Sequence, residues 1–312
     1  MAKEFMSFDE LVALLESRGV EIDDNSRNRL MQESYYAVVN GYKAPFLDTA
    51  AMESSPEDVY LPRTKFSSIY ALFSFDRELR ATTFKYLAKA EAMMRTAVVH
   101  SFCEAHQGPT DYLYEQSYAR PEDMLVAKDH RGNKARLYRK NMTDLTTTLQ
   151  SKSHSWKPYI AHYANTYGFV PLWVMSNDLT FGNVMHLYQL QKRSEQNKAC
   201  KIIYEAIGND RYPFARLTPQ KLLRAFSVLV GFRNICAHDE RLYCAKVGKH
   251  KENDFGAMAA ELARILSRSE TESFIRDVDR LLHAYQNRFT PLDPGELLTN
   301  MGIRNGKIRV VE

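Results

Sequence analysis

The sequence predicts an all-α protein, a helical bundle with additional helices at its N-terminal and C-terminal ends. Three observations predict it. From Thr64 to Glu104 there is neither Gly nor Pro, and Phe66, Ile69, Tyr70, Phe73, Phe84, Leu87, Met94 and Val98 recur at helical spacing. Gly (13) and Pro (11) are sparse for 312 residues, well under the ~12% of an average chain, which leaves too few tight turns for a sandwich or barrel. Several amphipathic stretches also carry helix-start and helix-stop residues at their ends. With 45% hydrophobic and 26% charged residues, the chain has the balance of a folded protein, not a disordered one.

Taken in order, Ser7-Phe8-Asp9-Glu10 has the spacing of a capping box, and a helix follows from about Ser7 to Ser17, closed by Gly19. A second helix is expected from Asp24 to Val39, stopped by Asn40-Gly41 as a source of left-handed residues. The stretch Lys43 to Pro62 reads as a connecting loop, and Thr64 to Glu104 as one long helix whose apolar stripe is interrupted by Arg77, Arg80, Glu91 and Arg95. Glu91 and Arg95, an i,i+4 pair, form either a surface salt bridge or the lining of a polar groove. Helical periodicity resumes at Phe181 to Leu190 and Glu195 to Ile207. Thr218-Pro219 then starts a helix to about His238, and stretches from Phe255 to Leu266 and Ser269 to Phe289 complete the array before Pro291 and Pro294 break it.

No apolar run approaches the ~18 residues of a membrane span, and the charged N-terminus lacks a signal-peptide core, so a cytoplasmic protein without membrane contact is expected. Cys103, Cys200, Cys236 and Cys244 form no C-x-x-C pair and are expected to be reduced and structural. A net charge of +4 permits a nucleic-acid partner without requiring one. The basic run from Lys128 to Lys140, with Lys128, Arg131, Lys134, Arg136, Arg139 and Lys140, is either a solvated face or a phosphate-binding one.

The helix from Thr218 carries the chemistry. Its seam is Leu222, Phe226, Leu229, Arg233 and Cys236, so a guanidinium stands in line with core-facing side chains and must be paired or open onto a cleft. Asn234 and His238 are i,i+4. An imidazole, a guanidinium and an amide at these positions suit RNA cleavage by its own 2′-hydroxyl: His238 moves the proton, Arg233 holds the phosphorane oxygens, and Asn234 orients either partner. Neither metal nor cofactor is called for. The bare Arg/His spacing also occurs at Arg95/His100 and Arg276/His283, so position on a capped apolar helix distinguishes Arg233/His238.

Ser34-Tyr35-Tyr36 leading to Asn40-Gly41-Tyr42, Phe75-Asp76-Arg77-Glu78-Leu79-Arg80 followed by Glu91 and Arg95, Pro171-Leu172-Trp173 followed by Phe181-Gly182, and Arg233-Asn234 to His238 followed by Arg241-Leu242-Tyr243 occur in this order along most of the chain. Together they resemble the Abi-like family (AbiD/AbiF group) of bacterial phage-resistance proteins. The resemblance implies a fold of the HEPN type, with residues 1–62 as an N-terminal helical segment and loop, 63–290 as the core and 291–312 as a tail. It also implies a metal-independent endoribonuclease that acts as an abortive-infection toxin, with Arg233, Asn234 and His238 as catalytic residues supported by Glu91, Arg95, His100, Asp76 and Arg241. Its implied partners are an RNA substrate, a second copy in a homodimer and a small structured regulatory RNA. Two other readings stay open. One is a non-catalytic helical RNA-binding protein using the basic run and Tyr138 for stacking. The other is a metal-dependent phosphohydrolase with His238-Asp239, His100 and Asp277 or Asp279 as ligands.

Overall fold

The computed structural model describes residues 5–126, 134–212 and 216–303. It is built of helices, and among the described residues β pairing is limited to isolated bridges such as Glu21 with Lys65. Helix α1 (Phe8–Ser17) starts as its sequence requires: the Ser7 hydroxyl accepts from the Glu10 N–H, and the Glu10 carboxylate accepts from the Ser7 N–H at 2.7 Å. The second helix departs from expectation. Helix α2 (Ser26–Glu33) ends at Ser34, which takes a left-handed backbone at φ 66°, and the chain resumes as a π turn over Tyr36–Asn40. Gly41 is right-handed, so Asn40-Gly41 is not the stop. The Ser34 hydroxyl accepts from the Ala37 N–H at 3.2 Å, a local bond that helps set the new direction. The expected loop holds a 3-10 turn at Ala44–Phe46 and the short α3 (Thr49–Met52).

Helix α4 (Phe66–Ala105) is the axis of the molecule. It buries Leu72, Leu79, Leu87, Met94 and Val98 and packs against six later helices, so its apolar residues spread around most of its circumference. Phe84, expected on the inner stripe, is partly exposed. The basic run leads into α5 (Lys134–Ser153), followed by α6 (Pro158–Tyr167) and α7 (Leu172–Met175). Tyr138 is buried and cannot serve as a stacking platform. Helices α8 (Phe181–Leu190), α9 (Arg193–Ile207) and α10 (Pro219–Ala237) then pack on α4, and α8 and α9 both pack on α10. Thr180 and Thr218 cap α8 and α10 through side chains that accept from the third N–H of each helix.

Helices α11 (Phe255–Ile265) and α12 (Arg268–Tyr285) complete the wrap around α4, capped by Asp254 and Ser267. Pro294, expected to break the array, instead opens α13 (Pro294–Asn300), because Asp293 caps it and Pro at the first position lacks only an N–H that would be unsatisfied anyway. The segment expected as a tail thereby buries Leu297, Met301 and Ile303, and the Gly256 N–H donates to the Met301 carbonyl at 2.9 Å. One apolar cluster runs from Leu15 to Ile303. Among the described residues no helix is long and apolar enough to cross a membrane. All four cysteines are free; Cys200 is buried, whereas Cys244, expected to be structural, is exposed.

Candidate active site

Helix α10 delivers Arg233 because Leu222, Phe226, Leu229 and Phe232 are buried along its length and fix its rotation. The Arg233 side chain emerges at the rim, 25% exposed. Its Nε donates to Glu91 Oε2 of α4 at 3.0 Å, and its Nη1 donates to Asn234 Oδ1 at 3.3 Å. Arg95, one turn beyond Glu91, pairs with the other carboxylate oxygen of Glu91. Glu91 is thus buried between two guanidinium groups and neutralises only one of them. The pair expected as a surface bridge or a groove lining makes up two members of a three-residue cluster that joins α4 to α10.

The end of α10 is closed by a specific backbone arrangement. The His238 N–H donates to the Asn234 carbonyl at 2.9 Å, the Glu240 N–H reaches back to the Ile235 carbonyl at 3.1 Å, and Asp239 between them is left-handed at φ 58°. That is the Schellman closure, normally completed by Gly. An Asp can hold it here because its carboxylate is taken by Arg80 of α4. His238 is therefore the capping residue and not the last residue of the helix, with an exposed ring that has no hydrogen-bond partner among the described residues.

Asp76 anchors the next turn. Its carboxylate, fully buried on α4, accepts from the Tyr42 hydroxyl at 2.8 Å, Arg80 Nη1 at 2.7 Å, the Leu242 N–H and, at 2.7 Å, the Tyr243 N–H. Burial pushes its carboxyl above the usual carboxylate range, opposed by Tyr42, Arg80 and the two backbone donors. Burial also pushes the Tyr42 hydroxyl well up, which keeps it a donor. Asp76 touches no open site. It is a positioning residue that straps the Leu242-Tyr243 backbone, and with it the end of α10, to α4. Arg241 lies on the surface and donates from Nη1 to the Gly41 carbonyl at 2.9 Å.

The remaining candidates separate. His100 is not at the site: its side chain is 66% exposed and faces Glu104 at 3.9 Å, because two and a half turns of α4 separate it from Glu91. Arg276 and His283 bond locally on α12, to Ser273 and to the Asp279 carbonyl. Lys128 and Arg131 lie outside the described residues. Lys134 donates to the Glu122 carbonyl and Lys140 pairs with Asp144 at 2.6 Å, whereas Arg136 and Arg139 are exposed. These cations ride on α5, which packs on α7 and α8, and do not join the Arg233 cluster. The ligands of the metal-hydrolase reading are not gathered either. Asp277 accepts from the Tyr86 hydroxyl at 2.7 Å, and among the described residues no three His, Cys, Asp or Glu side chains could hold a metal ion together.

Sequence reasoning did not find the open cleft of about 490 Å³ beside the end of α10, walled by the π turn at Tyr36 and by Arg241, Lys246 and Lys251. The signal available was weak: tyrosines within the Ser34–Tyr42 motif, and lysines after Tyr243.

No curated protein and no solved structure matches the chain. The sequence model of the Abi-like protein family matches residues 28–244, a span that includes Tyr36, Asp76, Glu91, Arg233 and His238. The described fold being all-helical and the match covering more than two thirds of the chain, the protein belongs to the Abi-like protein family.

Proposed function

We propose that the protein is a metal-independent endoribonuclease of the HEPN type that acts as an abortive-infection toxin in anti-phage defence. Membership of the Abi-like family points to phage defence. The observation that carries the nuclease reading is the charge arithmetic around Glu91. One buried carboxylate faces two guanidiniums, so the cluster keeps an uncompensated positive charge, and an exposed imidazole with no hydrogen-bond partner among the described residues stands at the end of the same helix. A phosphodiester supplies the missing anion.

In that geometry Glu91 fixes Arg233 through Nε and leaves the rest of its fork for a nonbridging phosphate oxygen. His238 takes the proton from a ribose 2′-hydroxyl. The 2′-oxygen attacks phosphorus, the 5′-oxygen leaves with a proton, and a 2′,3′-cyclic phosphate remains. Asn234, bonded to Arg233, orients the guanidinium. A homodimer that brings two α10 ends together would supply a second imidazole for the leaving group, and a small structured RNA would restrain the site by occupying it. Purified protein is expected to cleave single-stranded RNA in the presence of EDTA. Arg233→Ala and His238→Ala should each lower the rate by at least ~100-fold and relieve growth arrest while the protein still folds. Products ending in a 3′-hydroxyl would overturn the mechanism.

A further inference from the structure

We propose that the cleft beside the end of α10 is a nucleotide subsite for single-stranded RNA, in which the Tyr36 ring stacks a base and Arg241, Lys246 and Lys251 hold the adjoining phosphates. Its position is the first argument. Ile235, Asp239 and Arg241, which bracket His238 in the chain, line the cleft, so it opens beside the helix end that carries His238.

Its chemistry is the second. Tyr36 stands at the rim with 78% of its surface exposed, a large aromatic that folding has left in water, and the base faces of an unpaired strand are what such a ring stacks. Lys246 and Lys251 are exposed and form no ion pair among the described residues, and Arg241 spends one Nη1–H on Gly41 and keeps the rest of its fork. Asp239 in the lining and the buried Asp76 behind it share Arg80, and Glu240 stands against Arg241, Lys246 and Lys251, so four cations face three carboxylates. The cleft is net positive, as a phosphate backbone requires.

The backbone of both walls is irregular. One wall is the π turn that follows left-handed Ser34, and the other is the left-handed Asp239 turn. Such features persist where the surrounding structure holds them against their cost, and they turn Tyr36 and Arg241 toward a common space.

The subsite rests on the nuclease reading only for the order of events along the strand, and binding tests it separately. The full-length His238→Ala protein, which retains substrate, is titrated with a fluorescent single-stranded RNA 12-mer. Adding Tyr36→Ala should weaken binding roughly tenfold, and Tyr36→Phe should restore it, since stacking needs the ring and not the hydroxyl. Adding Lys246→Ala with Lys251→Ala should flatten the salt dependence of log Kd by about 1.4, at ~0.7 per single-strand phosphate contact. In the otherwise native protein the same changes should raise KM more than they lower kcat. Unchanged affinity and salt slope in all three variants, with cleavage still lost in Arg233→Ala, overturns the subsite and leaves the nuclease standing. RNA binding that depends on Tyr36 without cleavage by the native protein overturns the nuclease and leaves the subsite. No RNA binding at all overturns both.

Discussion

Glu91 and Asp76 are carboxylates both buried on α4, and they do different work because their partners differ. Asp76 spends its acceptor capacity on a hydroxyl, a guanidinium and two backbone N–H groups, so it is structural. Asp76→Asn should destabilise the protein by about 2–4 kcal/mol in urea unfolding, since Arg80 and the two backbone N–H groups lose their buried anion. Glu91 is bounded by two guanidiniums that still touch solvent, and Glu91→Ala should cost less, ~2 kcal/mol, while abolishing cleavage. His238→Ala should change stability by no more than ~0.5 kcal/mol, because its ring is exposed and has no hydrogen-bond partner among the described residues. Loss of activity with stability retained is therefore the signature of His238, and loss of both that of Asp76. The seam position of Arg233 was legible in the sequence, since apolar spacing alone put a cation among core-facing residues. Its partner was not: Glu91 lies 142 residues away, and nothing local records that pairing. The family resemblance implied His100 as a support of the site, where the rotation and rise of α4 do not put it.

At the scale of elements, caps carried most of the information. Ser7 and Thr218, read as caps in the sequence, both satisfy N–H groups that a helix start leaves open, and the boundaries they mark agree with the structure to within a residue or two. The misread boundaries are those where a residue type permits two outcomes. Ser34 breaks α2 in a conformation few serines adopt, and Pro294 starts a helix instead of ending one. The α5–α6 junction offers a pH test. Asp178, nearly buried, accepts from Lys152 at 3.1 Å and from Lys157, and so ties the end of one helix to the start of the next. Burial works to raise its carboxyl, but the two ammonium groups outweigh it and hold the group below its ordinary value of 3.8. With the folded value lowered, the stability it contributes is present above about pH 4 and is lost as pH falls through the lowered value. Acid-induced unfolding monitored by circular dichroism should show Asp178→Asn less stable than the native chain at pH 7, and the difference should shrink toward pH 3.

At the scale of the whole molecule, α4 is enclosed by α8 to α12, and α13 is clipped to α11 through Gly256. A Cβ at Gly256 would stand 2.6 Å from the Gly302 carbonyl oxygen, a backbone atom with little room to give. Gly256→Ala should therefore lift α13 from the core and cost ~1–3 kcal/mol, read as a lower melting temperature and as faster proteolysis near residue 300.

The sequence by itself determined the all-helical class, most helix boundaries and the alignment of Arg233 with the core, because periodicity and capping act over three to seven residues. Tertiary structure alone decided which carboxylate holds Arg233, that His100 stands apart, that Asp76 serves as an anchor, and that Tyr36 faces the end of α10. Those are contacts between segments far apart in the chain, fixed by how buried faces pack, and no local pattern encodes them.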